Sequence, residues 1–175
     1  MNTQDLVKTF GACIILVLMQ LLFFKNLVLF EVAFCFIYIL AIIRLPGELG
    51  TGYVMLASFF IGLTVDIYYN TAGVHSSACT LIGFLRKNLL RYFFPTKGID
   101  NEIQVSLKEL GFQRYFVYVL IMVSFHHIVL FMMEAGGFSH FLNTLLKIVC
   151  SIVFTTIMVL LTSALATGIS SRQKK

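Results

Sequence analysis

Charge is scarce in this chain. Charged side chains make up only 12% of its 175 residues, while 59% are apolar and the mean hydropathy is +0.92. A soluble domain carries about 25% charged and about 45–50% apolar residues. So little charge cannot cover an ordinary wet surface, which excludes a soluble globular domain and predicts an all-α integral membrane protein, one polytopic domain over residues 1–175. Paired cysteines are missing too. Cys13, Cys35, Cys79 and Cys150 each lie in an apolar run with no CxxC or zinc spacing. That excludes a disulfide scaffold or structural zinc and leaves free thiols packed as small hydrophobes. The first apolar stretch, Phe10 to Phe24, runs into "FFKN" without a small-x-small site, so it reads as a retained segment and not a cleaved signal. Catalytic signatures are absent as well: no GxSxG, Walker A or HExxH sequence, and no paired carboxylates on one exposed loop. The expectation is a non-enzymatic protein with no catalytic residue, cofactor or metal.

Long apolar runs are what the chain has in abundance. A spanning helix needs about 20 apolar residues to cross roughly 30 Å of hydrocarbon. On that ruler the sequence predicts a bundle of about six transmembrane helices, near 6–24, 27–44, 50–69, 73–94, 112–133 and 141–167. Only Lys25 and Asn26 separate the first two, which form either a tight helical hairpin or one bent element. Pro46 and Gly47 stop the second run and favour the hairpin.

With both termini cytoplasmic, Lys8, Arg44, Arg86, Lys87, Arg91, Lys97, Lys108, Arg114, Arg172, Lys174 and Lys175 fall on the inner side. Lys25 and Lys147 fall toward the outer side. That asymmetry obeys the positive-inside rule, and it accounts for the net charge of +5 without invoking nucleic acid. The outer loops are short, and the one substantial connection is a cytoplasmic loop near 95–111. "SLKE" at Ser106–Glu109 has capping-box spacing, and Ile99, Ile103, Leu107 and Leu110 recur at near-helical intervals. A lead-in helix on the membrane surface is expected there, or a docking face for a cytoplasmic partner.

The ionisable residues inside the spans gather toward the outer side: Asp66, His75, His126, His127, Glu134 and Lys147. Facing lipid costs an ionised group at least a few kcal/mol, so these side chains are expected to face one another or a wet cavity. Asp66 with Lys147 is the favoured pair, with His75 as the competing partner. A polar clasp that fixes helix register, a partner-binding site and a proton or solute path all fit the pattern. His126 and His127 point about 100° apart on a helix and cannot easily share one ion. The glycines Gly47, Gly50, Gly52, Gly62, Gly73 and Gly83 read as close-packing positions.

The stretch "YILAIIRLPGELGTGYVMLASFFIGLTVDIYYNTAGVHSSACTLIGFLRKNLL", Tyr38 to Leu90, resembles the rod shape-determining MreD family. Arg44 and Pro46 close one apolar span, Gly62, Leu63 and Asp66 match a G-L-x-x-D span end, and Gly73 with His75 opens the next helix. Ser76 and Ser77 stand where alanines are often seen, a change that packing tolerates. The resemblance implies a non-enzymatic scaffold subunit of the bacterial inner membrane. It would bind the membrane protein MreC and work with the MreB cytoskeleton, beside the RodA glycosyltransferase and its transpeptidase, in lateral peptidoglycan synthesis and cell-shape control. It also implies a fold similar to the substrate-binding subunits of energy-coupling-factor transporters. A true vitamin-binding subunit of such a transporter is the alternative. It would present an AxxxA-like arrangement on the first helix, where this chain reads "FGACIILVLMQLLFF". An enzyme of lipid-linked intermediates is the third class and has no catalytic set here.

Overall fold

The computed structural model describes residues 3–93, 105–137 and 141–172. The chain is mostly helical: α1 (Thr3–Leu22), α2 (Ile39–Ile43), α3 (Thr51–Tyr69), α4 (Val74–Phe93), α5 (Leu107–Leu110), α6 (Phe112–Ala135) and α7 (Phe141–Arg172). Three of these are long and apolar enough to cross a membrane: α3, α6 and the Phe141–Thr167 part of α7. They make this a membrane protein. The apolar part of α1, Thr9–Leu22, is shorter. α4 is a 20-residue helix, but Arg86, Lys87 and Arg91 occupy its second half.

The expected span at 27–44 is not a transmembrane helix. Lys25 and Asn26 lie in a single 3₁₀ turn after α1. Two short antiparallel strands follow, β1 (Val28–Leu29) and β2 (Ala33–Phe34), with Val28 opposite Phe34. The chain then runs through a buried segment, Cys35 to Tyr38, into the short α2. This is the most enclosed part of the molecule: Tyr38 through Ile43 have no exposed surface. Non-helical backbone survives at such depth only when protein groups satisfy its amides and carbonyls.

α7 supplies those groups. Ser151 Oγ accepts the Phe34 amide at 2.9 Å and donates to the Val32 carbonyl at 3.4 Å. Thr155 Oγ1 accepts the Phe36 amide at 3.2 Å and donates to the Phe34 carbonyl at 3.1 Å. Residues four apart on a helix are separated by about 6 Å along its axis, and residues two apart on a strand by about 6.6 Å. The two hydroxyls therefore match the strand repeat, and one face of α7 acts as the neighbouring strand that β2 lacks. From α1, the Gln20 amide donates to the Cys35 carbonyl at 3.1 Å.

Arg86 closes the other end of the segment. Pro46 stops α2 from extending, so its last carbonyls have no helical partner. The Arg86 guanidinium, 1% exposed, reaches from α4 to the carbonyls of Leu45, Ile43 (3.5 Å) and Pro46 (3.4 Å). A residue that reads as a positive-inside flank is thus a buried structural cation at a helix C-terminus, where the macrodipole favours it.

α3 and α4 form the tightest pair. A Cβ on Gly62 would lie 2.4 Å from the Ser76 Cα, and one on Gly83 would lie 2.6 Å from Ser58 Oγ. Small residues on both helices let the backbones meet, as in other membrane helix pairs. The lead-in helix before α6 is a single turn among the described residues. Ser106 Oγ accepts the Glu109 amide at 3.4 Å, but Gly111 with φ +73° breaks the chain before α6. Ile99 and Ile103 lie outside the described residues.

Candidate functional site

The candidate site lies where α3 turns into α4, against the buried segment and the middle of α6. Its first part is a helix cap made at a distance. α4 begins after Gly73, which has no side chain to accept the free amides of the first turn. Asp66 takes that role from α3. Its carboxylate accepts the His75 amide at 2.9 Å, the Ser76 amide at 2.8 Å and the Thr71 hydroxyl at 2.6 Å. The turn that permits this places Asn70 in the left-handed region, where its amide donates to the Asp66 carbonyl, and Gly73 at φ +82°. An anion at a helix N-terminus is favoured by the free N–H groups and by the macrodipole.

The expected Asp66–Lys147 pair is therefore not formed. The carboxylate, 2% exposed, has its oxygens filled by α4 amides and Thr71. Lys147 is one turn before Ser151 on α7 and rests its ammonium 5.8 Å from the Phe34 ring centroid. His75 does meet Asp66, but through its backbone N–H and not its ring.

The second part is a chain of rings. The Tyr38 hydroxyl bridges His75 Nδ1 at 2.9 Å and His126 Nε2 at 2.7 Å, joining α4 to α6 through the buried segment. Cys79 Sγ lies 3.9 Å from the same His126 nitrogen. His127 turns the other way, with Nδ1 2.8 Å from the Val123 carbonyl and Nε2 3.1 Å from Thr155 Oγ1. Phe36 packs among all three histidine rings, with centroids 5.3–5.9 Å away. Gln20 donates to the Tyr69 hydroxyl at 2.9 Å, tying α1 to the end of α3.

Of the residues singled out from sequence, Gly62, Asp66, Gly73, His75, His126 and His127 come together here. Arg44 and Pro46 lie at the opposite end, where Pro46 shares Arg86 and Arg44 stands beside Tyr115. Glu134 is exposed on the last turn of α6, apart from the cluster. Tyr38, Gln20, Ser151 and Thr155 belong to the site and were not singled out. Their signal was a polar residue inside an apolar run, with Lys147, Ser151 and Thr155 repeating every four residues on one face of α7. Among the described residues, no group of three or more His, Cys, Asp or Glu is placed to hold a metal ion.

The chain matches no family model, no curated protein and no solved structure.

Proposed function

We propose that this protein is a non-enzymatic scaffold subunit of the bacterial cell-elongation complex, of the MreD type, seated in the inner membrane with both termini cytoplasmic. Its partner in the bilayer is the transmembrane segment of MreC. Through MreC it works with MreB, RodA and the RodA-associated transpeptidase in lateral wall synthesis. One observation carries the reading: four of the resemblance residues, Gly62, Asp66, Gly73 and His75, lie together in the interlock that holds α3 against α4, while Arg44 and Pro46 lie at the other end of the fold. On its outward face that pair offers an apolar groove of about 470 Å³, lined by Met55, Phe59, Ser77, Thr80, Leu81 and Phe84. A fixed, apolar, helix-wide surface suits packing by a second membrane helix. The charge asymmetry between the two sides supports the orientation.

Co-purification of the full-length chain with MreC tests the reading, with and without the 95–111 loop. Disulfide cross-linking from cysteines placed at Phe59 and Phe84 should capture the MreC segment, and cysteines at Val153 and Ile157 on α7 should not. A full-length protein that never retains MreC overturns the proposal. So does saturable thermal stabilisation by riboflavin, thiamine or biotin, the behaviour of a vitamin-binding transporter subunit.

A further inference from the structure

The β-hairpin has α7 along one edge, and the direction of its backbone fixes what the other edge carries. The Phe34 amide and carbonyl both point to α7, at Ser151 and Thr155. Across an antiparallel ladder, two opposite residues either exchange hydrogen bonds or both point away from each other. Val28 is opposite Phe34, so its amide and carbonyl face outward on the free edge of β1. Among the described residues, no group donates to that carbonyl or accepts from that amide.

That edge lies at membrane depth. Ser151 and Thr155 are about 15 and 21 Å along α7 from Phe141, and Phe34 sits between them. The apolar part of α7 has 27 residues, so it is about 40 Å long, roughly 10 Å more than the hydrocarbon it crosses. Even with all of that excess standing clear of the bilayer at the Phe141 end, Val28 is about 8 Å below the hydrocarbon surface. Lipid cannot satisfy an open strand edge there; such backbone persists only against protein or against water. The side chains beside the edge make the same demand. Lys25, Asn26 and Glu31 are exposed, and Glu31 has no charged partner among the described residues. Lys25 donates to the Tyr68 carbonyl at 3.4 Å and still has a free surface. Charged and amide groups facing acyl chains would be costly.

We propose that a water-filled crevice enters the bilayer beside the free edge of β1 and reaches Val28. It opens on the side where α7 begins, the outer side in the orientation proposed above. Water accepts the Val28 N–H, donates to the Val28 carbonyl and solvates Lys25, Asn26 and Glu31. The crevice is blind. Below the hairpin, Cys35 through Tyr38 are at most 5% exposed, so water stops at the buried segment and finds no path to the other side. The crevice belongs to the chain alone in lipid and holds whatever its protein partners are.

The test uses the full-length chain in dioleoylphosphatidylcholine nanodiscs. Val153 is the control, because it lies between Ser151 and Thr155, at the depth of Val28, and is 54% exposed on the surface of α7. Nitroxide labels are placed on Asn26→Cys or Val153→Cys, each with Cys150→Ala, and their collisions with a water-soluble nickel chelate and with dissolved oxygen are compared. The ratio of nickel to oxygen collisions should be at least about fivefold higher at position 26 than at 153, since water excludes lipid there. In the wild-type chain, amide deuterium exchange should be at least about 100-fold faster at Val28 than at Leu29, which pairs with Ala33, or at Val153 in its helix. A label at 26 in the same lipid environment as one at 153, or a Val28 amide as slow as that of Val153, overturns the proposal. Wild-type exchange decides the matter even where a labelled variant does not fold.

Discussion

The Asp66 carboxylate accepts the Ser76 amide at 2.8 Å, so the end of α3 supplies the cap that Gly73 cannot give α4. Covalent neighbours in a turn thus become energetic partners across two helices. A lost cap costs about 1 kcal/mol in soluble helices. Two buried amides left without acceptors cost about 1–3 kcal/mol each.

Asp66→Asn should be milder than Asp66→Leu. Asn keeps one carbonyl oxygen for an α4 amide, while Leu keeps none. Thermal unfolding in detergent should show a loss of about 1–2 kcal/mol for Asn and about 3 kcal/mol or more for Leu. Equal losses would mean that the charge itself, and not the acceptor geometry, is required.

Gly62→Ala should be among the most damaging small changes in the chain. The added methyl meets the Ser76 backbone at 2.4 Å, where no side chain can swing aside. Overpacking of this kind costs about 1–3 kcal/mol. Gly52→Ala is the control, since its added Cβ meets nothing within 4 Å. The yield of monodisperse protein and its melting temperature should fall for the first and hold for the second.

Arg86→Lys should not rescue what Arg86→Met loses. The guanidinium spreads its donors over three carbonyls, Leu45, Ile43 and Pro46, whereas an ammonium is a compact point charge. Both changes leave buried carbonyls short of donors, at about 1–3 kcal/mol apiece. Limited proteolysis should show faster cleavage between residues 44 and 50 in both variants.

α3, α6 and α7 were legible in the sequence because their apolar runs are long and unbroken, and a helix is the simplest way to satisfy backbone in lipid. The 27–44 run was not, because an apolar composition is equally suited to a buried extended segment that ends in a short helix. What decides between them are hydroxyls 117 to 121 residues away, Ser151 and Thr155, and no local window contains both ends of that match. Asp66 was legible as a polar residue that had to find partners inside the fold. Its partners were not, because they are backbone amides, which every residue carries and no letter marks. Arg86 was counted as a flanking charge since the carbonyls that bury it are freed by Pro46, far from it in sequence.

The tip of the β-hairpin carries strain that a two-residue change should relieve. Phe30 and Glu31 have φ of +52° and +61°, and the Val32 amide donates to the Leu29 carbonyl at 3.2 Å. Two left-handed central residues define a type I′ turn, whose natural occupants are Asn and Gly. Non-glycine residues held there cost about 1 kcal/mol or more each. Phe30 is 93% exposed, so its ring contributes almost no packing in return. Replacing the pair with Asn-Gly should therefore stabilise the fold by about 1 kcal/mol, after the greater chain entropy of glycine is subtracted. A raised melting temperature in detergent would show that the strain is local to the turn. A lowered one in nanodiscs alone would show that the exposed ring is held by the bilayer, offsetting the strain through contact with lipid.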